Sequence, residues 1–347
     1  METWFARTGV RADLVHSPGA GEETLTGWYF RDYHNRPMGV RGISLGVLLA
    51  CSLVHSGCNL TGLLIRGQTD GAAEFAEERG TEFADRELVG GVIADGIVTS
   101  TGLLYFVEDY EPLLLSAIFG RIAYGVGWLG LRAEELEVEE GKFDEAEKLQ
   151  KRAGLLYASA LRLAKRTLRL RDEGFDAAIA GGLATFKPWV DEHFYRKEDT
   201  EVLVVTGLAY FVQMIESEEG LAAAVDLPYG RYLLERSIEI DPTAEDAQAL
   251  STIGIVECTV PELMGGRPKL GLKLMQRAME LTERKSHGIL VSAAERCAPP
   301  LQDRALFRKL LMEVIESGDV PEFRLPNKIA RRRAELLLKQ TGELFYD

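Results

Sequence analysis

Cysteine is the residue type here that promises most chemistry, and the chain has four. Cys258 and Cys297 lie far apart in the C-terminal half, with no C-x-x-C spacing around either. In an oxidising compartment they could pair. A disulfide needs Cα atoms within about 7 Å, which spacing alone does not provide, so two buried free thiols are the expectation. Past the first 58 residues the histidines are His193 and His287, and neither sits in an HExxH metal spacing. Gly265-Gly-Arg-Pro-Lys269 has the glycines and lysine of a phosphate loop without the GxxxxGK[ST] spacing or a preceding strand, so it reads as a turn. No GxSxG element occurs, and no pair of carboxylates is set apart by context. The expectation is a protein without catalytic groups, metal or cofactor.

Cys58 is different because of what precedes it. Met38-Gly-Val-Arg41 is a short basic start, Ile43 to Val54 is nearly free of polar residues, and Ser56-Gly57-Cys58 closes the run. These are the parts of a secretory signal, and the apolar run is short of the ~20 residues a spanning helix needs. The segment resembles a bacterial lipoprotein signal, in which the cysteine is acylated and becomes the first mature residue. His55 departs from the usual Leu or Val. Leu48-Leu-Ala-Cys51 fits the same motif but leaves a shorter apolar core, and a plain signal peptide or uncleaved signal anchor is the competing reading. Residues 1–37 read as upstream sequence, 38–57 as the signal, 58–84 as a tether and first helix, and 85–347 as one helical domain. Asn59, where an aspartate is associated with inner-membrane retention, points to the outer membrane.

The elements that would carry any site are helices. Leu156, Ala160, Leu163, Ala164 and Thr167 form one helical stripe. Leu270, Leu274, Ala278 and Leu281 form another, and Ala330, Ala334, Leu337 and Leu338 a third. Val202-Leu-Val-Val205 looks strand-like, but it runs into Gly207–Met214 and is better read as a buried helix. A phrase of Arg, small residue, aliphatic, charge and aliphatic recurs at Arg166, Arg236 and Arg277, with steps of 70 and 41 residues. Seventy is close to two ~34-residue TPR periods, and 41 to one period plus an insertion. Asp241-Pro242 ends one helix and is placed to cap the next. The fold class expected is all-α, a TPR-like array of degenerate repeats, with an irregular helical bundle as the alternative. Gly120, Gly125, Gly127 and Gly130 surround Tyr124 and Trp128. Close helix packing explains the glycines, and ligand contact by the two rings is the sharper reading.

The formal net charge is −14, and residues 1–57 carry five acidic residues against five arginines, so the whole excess lies on residues 58–347. Such a body repels phosphate backbones and anionic headgroups, which argues against nucleic-acid binding.

The C-terminal half carries a resemblance. Val260-Pro-Glu-Leu-Met-Gly-Gly266, followed by Leu274-Met-Gln-Arg-Ala-Met-Glu-Leu281, resembles a stretch of the T-component (TatT) family associated with tripartite ATP-independent periplasmic (TRAP) transporters. Pro300-Leu-Gln-Asp-Arg-Ala-Leu-Phe307 and Arg324-Leu-Pro-Asn-Lys-Ile-Ala-Arg-Arg-Arg333 are similar to later family segments, and Ala153–Tyr157 to an earlier one. Together they cover roughly residues 85–347. The resemblance implies a periplasmic lipoprotein of cryptic TPR helices that self-associates as a trimer and engages the transporter's substrate-binding P component. It also implies a hydrophobic passage suited to an apolar or amphipathic organic acid. Val204-Val205 stand where the family tends to have Tyr-Trp, with Tyr210 and Phe211 later. These two join Tyr124 and Trp128 as candidate ligand or partner contacts. Met275 replaces a Phe, and Pro326 a small residue. Pro261, Glu262, Gly265, Gly266, Arg324, Asn327 and Arg333 match the family motifs, with structural roles expected. A general TPR scaffold lipoprotein for envelope assembly is the second functional reading.

Overall fold

The computed structural model describes residues 85–215 and 225–345, which belong to a compact unit spanning Asn59–Asp347. The upstream segment, the signal, Cys51, Cys58 and the tether lie outside the described residues. Among the described residues there are helices and turns and no strand, so the fold is all-α.

Helix α1, Arg86–Leu103, starts where the Asp85 carboxylate accepts the backbone N–H groups of Glu87 and Leu88, both at 3.0 Å. Helix α2 is one continuous run of 30 residues, Glu111–Glu140, with π-helical turns at Gly125–Gly130 and Leu136–Glu140. It ends at Gly141, whose φ of +65° supplies the left-handed cap that a side chain would resist. Helix α3, Phe143–Arg171, follows, with Phe143 exposed at its opening. Two short helices, α4 (Phe175–Ala180) and α5 (Leu183–His193), lead into α6, Thr200–Ile215. Val202 to Val205 and Leu208 to Phe211 are all buried, so α6 is a core helix apolar on nearly every face. The strand-like tetrad is therefore helical, as its continuation into Gly207–Met214 indicated.

Helices α7 (Leu227–Ile240), α8 (Ala244–Thr259) and α9 (Pro268–Leu281) come next. The chain then forms α10, His287–Ser292, which continues as a π turn over Ala293–Cys297. Helices α11 (Arg304–Glu316), α12 (Arg324–Lys339) and α13 (Thr341–Leu344) complete the described fold. Helix α7 ends before Asp241 as expected, but α8 starts two residues later than Pro242. Asp241 accepts the Thr243 N–H at 2.9 Å instead of capping directly, and Glu245, Asp246 and Ala247 take left-handed φ values of 49° to 59°. The stripe on α9 is also rotated. Gly271, Met275, Ala278 and Met279 are buried, while Leu270 and Leu274 are only half-buried.

Two antiparallel hairpins repeat one packing device. A Cβ on Gly207 of α6 would lie 3.3 Å from the Gly230 carbonyl of α7, and one on Gly230 would meet the Gly207 carbonyl at the same distance. Gly254 of α8 and Gly271 of α9 face each other likewise, at 3.0 and 2.6 Å. Gly230 to Gly271 is 41 residues, the same step as Arg236 to Arg277, so the second helices of the two hairpins are in register.

The array does not run open from end to end. Helix α12 returns to α2, where the place of a Gly127 Cβ is 3.4 Å from Ile329 and Arg332 Nε donates to Glu135 at 3.0 Å across 197 residues. In a linear repeat array each unit touches only its neighbours. Cys258 and Cys297 form a disulfide with Cα atoms 4.9 Å apart, which corrects the expectation of two free thiols. The α8 helix and the π turn after α10 pack side by side, a proximity that a separation of 39 residues does not reveal.

Candidate functional site

Charged groups converge where α1, α2 and α12 meet. Glu135, on α2, is 8% exposed and pairs with Arg86 of α1 at 3.2 Å, Arg332 of α12 at 3.0 Å and Arg132 at 3.4 Å. Burial raises its pKa, but Arg86 and Arg332 outweigh burial and hold the carboxyl below its ordinary value. Glu139, one turn further, takes Arg332 and Lys339, and their hydrogen bonds hold its pKa at about 2. Arg333 pairs with Glu134 at 2.8 Å and with Glu295 at 3.1 Å, tying α12 to α2 and to the π turn after α10. Two of the three π-helical turns among the described residues carry members of this junction. Its chemistry is ion pairing across the closure, and its charges are spent on one another. Arg333 was legible as a motif residue; Glu135 and Arg332 were not, because their meeting is a long-range event.

The glycine-rich part of α2 is packed for closeness. Trp128 donates its indole N–H to the Arg86 carbonyl at 2.7 Å, and its ring fills the place a Gly90 Cβ would take. Tyr124 stacks on Trp128 with centroids 6.2 Å apart. Phe211 lies in the main core at 1% exposure. Tyr210 is buried beside it, its hydroxyl without a hydrogen-bond partner, and burial followed by the Asp226 charge pushes the phenol pKa up. The four aromatic residues therefore do not form one cluster.

A second constructed feature is the turn after α8. Pro261 follows the helix end, Glu262 opens a short 3₁₀ turn, and Gly265 takes φ of +96°. Gly266 has no room for a side chain, since a Cβ would sit 1.7 Å from the Val260 carbonyl oxygen. Below the turn Arg267 grips buried Glu257 through two hydrogen bonds of 2.6 and 2.9 Å, joined by Arg231 at 2.7 Å. Burial raises the Glu257 pKa, but the two guanidiniums bring it below the ordinary value. Leu263 and Met264 stand out from this base, fully and largely exposed.

Asn327 is buried and closes two backbone ends. It accepts the His287 N–H at 2.9 Å, the first residue of α10, and donates to the Lys285 carbonyl at 2.9 Å. Arg324 pairs with Asp319 at 2.6 Å. Two concavities lie elsewhere. A cleft of about 300 Å³ is lined by Thr243, Asp246, Glu283, Lys285, Glu322 and Phe323, with left-handed backbone at 245–247 and at Glu283 and Arg284. A shallow groove of about 400 Å³ runs over Ala178, Thr185, Pro188 and Trp189. Leu281, the last residue of the α9 motif, lines the first, but none of the candidate site residues named from the sequence lines either.

Fold and site together define a helical protein held by internal ion pairs and close glycine crossings. The model of the TRAP transporter T-component family matches residues 82–345, and the chain belongs to that family. No curated protein matches it.

Proposed function

We propose that the protein is a lipid-anchored, periplasmic accessory of a TRAP transporter that binds the substrate-binding P component. In this reading Cys58 is the acylated residue, the body works as a homotrimer, and it relays an apolar or amphipathic organic acid. The observation that carries the proposal is the family match across nearly the whole helical body. The buried Cys258–Cys297 disulfide adds independent support for an oxidising compartment outside the cytoplasm. The paired helix hairpins with their 41-residue register support a TPR-like ancestry, in which stacked helix pairs present a binding surface. That feature alone would serve equally well a general scaffold for envelope assembly, which is the second reading.

An affinity pull-down of residues 59–347 from envelope extract of the source organism separates the two. Recovery of a TRAP substrate-binding protein near one-to-one supports the accessory role. Recovery of assembly or cell-wall proteins without any TRAP component defeats it.

A further inference from the structure

Helix α1 is held firmly on one face and left apolar on the other. Its inner face is fixed by the Trp128 indole against Gly90, by the Arg86–Glu135 pair, and by Arg121, which donates to Thr101 at 2.6 Å. Its outer face presents Leu88, Val92 and Val98 at 58%, 64% and 74% exposure, with Gly91, Thr99 and Gly102 between them. At 100° per residue these fall within one arc, and Asp95 is the single charge near its centre. The stripe runs on into Tyr105 and Phe106, which are 78% and 64% exposed, and stops at Glu108 and Asp109. A mounted helix with one bare apolar face and an aromatic pair at its end needs a covering partner.

We propose that this face rests on the surface of a lipid bilayer. The proposal rests on the reading of Cys58 as the anchor and adds a second, protein-borne contact to it. Three observations favour lipid over a folded partner. Helix α1 is the first described element after the anchor position, 27 residues from Cys58 to Asp85, so it is the part of the body with least chain to the membrane. Its 18 residues carry only Arg86, Glu87 and Asp95 as charges, in a chain that is 27% charged and strongly acidic. The aromatic pair lies between the end of the apolar stripe and the acidic pair Glu108-Asp109, the position interfacial aromatics take between acyl chains and water. With no Lys or Arg on the outer face, the lipid is zwitterionic, and Asp95 keeps the helix at headgroup depth. One acyl chain gives only marginal, reversible anchoring, and a second signal makes it stable.

Flotation of unacylated residues 59–347 with phosphatidylcholine–phosphatidylethanolamine vesicles tests this without the lipid anchor. Binding is expected for the wild-type body and about tenfold weaker binding for Val92→Asp combined with Phe106→Asp. Leu263→Asp, which removes an exposed leucine elsewhere, leaves binding unchanged, and all three chains keep the same thermal unfolding because the sites are solvent-facing. Absence of vesicle binding by the wild type overturns the proposal, as does equal binding by the double variant. A double variant that sediments as a smaller species while vesicle binding is unaltered assigns the face to a second copy of the chain and overturns it too. Acyl labelling at Cys58 is read separately, so failure of the anchor and failure of the α1 contact are distinguishable.

Discussion

Tyr210 and Glu257 show how differently two buried polar side chains can be treated. The Tyr210 hydroxyl has lost water and gained no partner, and an unpaired buried group costs roughly 1–3 kcal/mol. Tyr210→Phe is therefore expected to stabilise the protein by about 1 kcal/mol, raising the unfolding temperature by about 2–4 °C in calorimetry. A lower unfolding temperature would mean that the hydroxyl is satisfied in solution. Glu257 is satisfied twice over by Arg231 and Arg267, and its pKa is depressed in the folded protein. A depressed carboxyl contributes stability that is fully present above its unfolded value, near 4.5, and is lost as pH falls below that through the folded value. Glu257→Gln should thus cost about 2 kcal/mol at pH 7, with the gap to wild type narrowing below pH 4.5 in urea titrations. A gap that stays constant through the acid range would show that the charge is not what stabilises the pair.

At the scale of the element, the hairpins depend on backbones approaching without side chains between them. A Cβ on Gly271 would lie 2.4 Å from Cys258 Sγ and 2.6 Å from the Gly254 carbonyl, and neither atom is the end of a flexible chain. Gly271→Ala is expected to destabilise by about 1–3 kcal/mol, as overpacking of a tight interface does. Gly96 is also within a helix but has nothing within 4 Å of its Cβ position. There alanine should stabilise by about 0.5–1 kcal/mol through helix propensity alone. Opposite signs in chemical denaturation are the expected pattern, and two losses of similar size would remove the special status of the crossing. The same reasoning explains how α2 packs, with its Gly125 against the Tyr157 ring of α3 and Gly90 of α1 under its Trp128.

At the scale of the whole molecule, two of the long-range ties among the described residues join distant helices of the body. The junction of Glu135, Glu139 and Arg332 joins α2 to α12, and the Cys258–Cys297 bond joins α8 to the π turn after α10. Closing a loop across a separation of 39 residues lowers unfolded-state entropy by an amount worth about 4 kcal/mol, in the chain-entropy treatment. Because both sulfurs are buried, reduction should need partial unfolding. The Cys258→Ala, Cys297→Ala double variant is expected to unfold about 2–4 kcal/mol earlier in guanidinium, and oxidised wild type to resist dithiothreitol until denaturant is added. Fast reduction of the folded protein would place the bond nearer the surface than its packing indicates.

Sequence alone determined what depends on near neighbours. The stripes at Ala160–Ala164 and Ala330–Ala334 forced helices, because spacing at 3.6 residues per turn leaves one apolar face to bury. The end of α7 before Asp241-Pro242 was legible for the same local reason, as was the turn at Gly265-Gly266. The ordered motifs from Pro261 to Arg333 were sufficient to indicate the family. Tertiary structure alone decided the rest. The rotation of α9 onto Met275 and Gly271 was set by the facing Gly254, which no periodicity within α9 contains. The pairing of Cys258 with Cys297, the meeting of Glu135 with Arg332, and the bare outer face of α1 all depend on which helices come to lie side by side. Hydrophobic patterning says that a face must be covered; only the packed structure says by what.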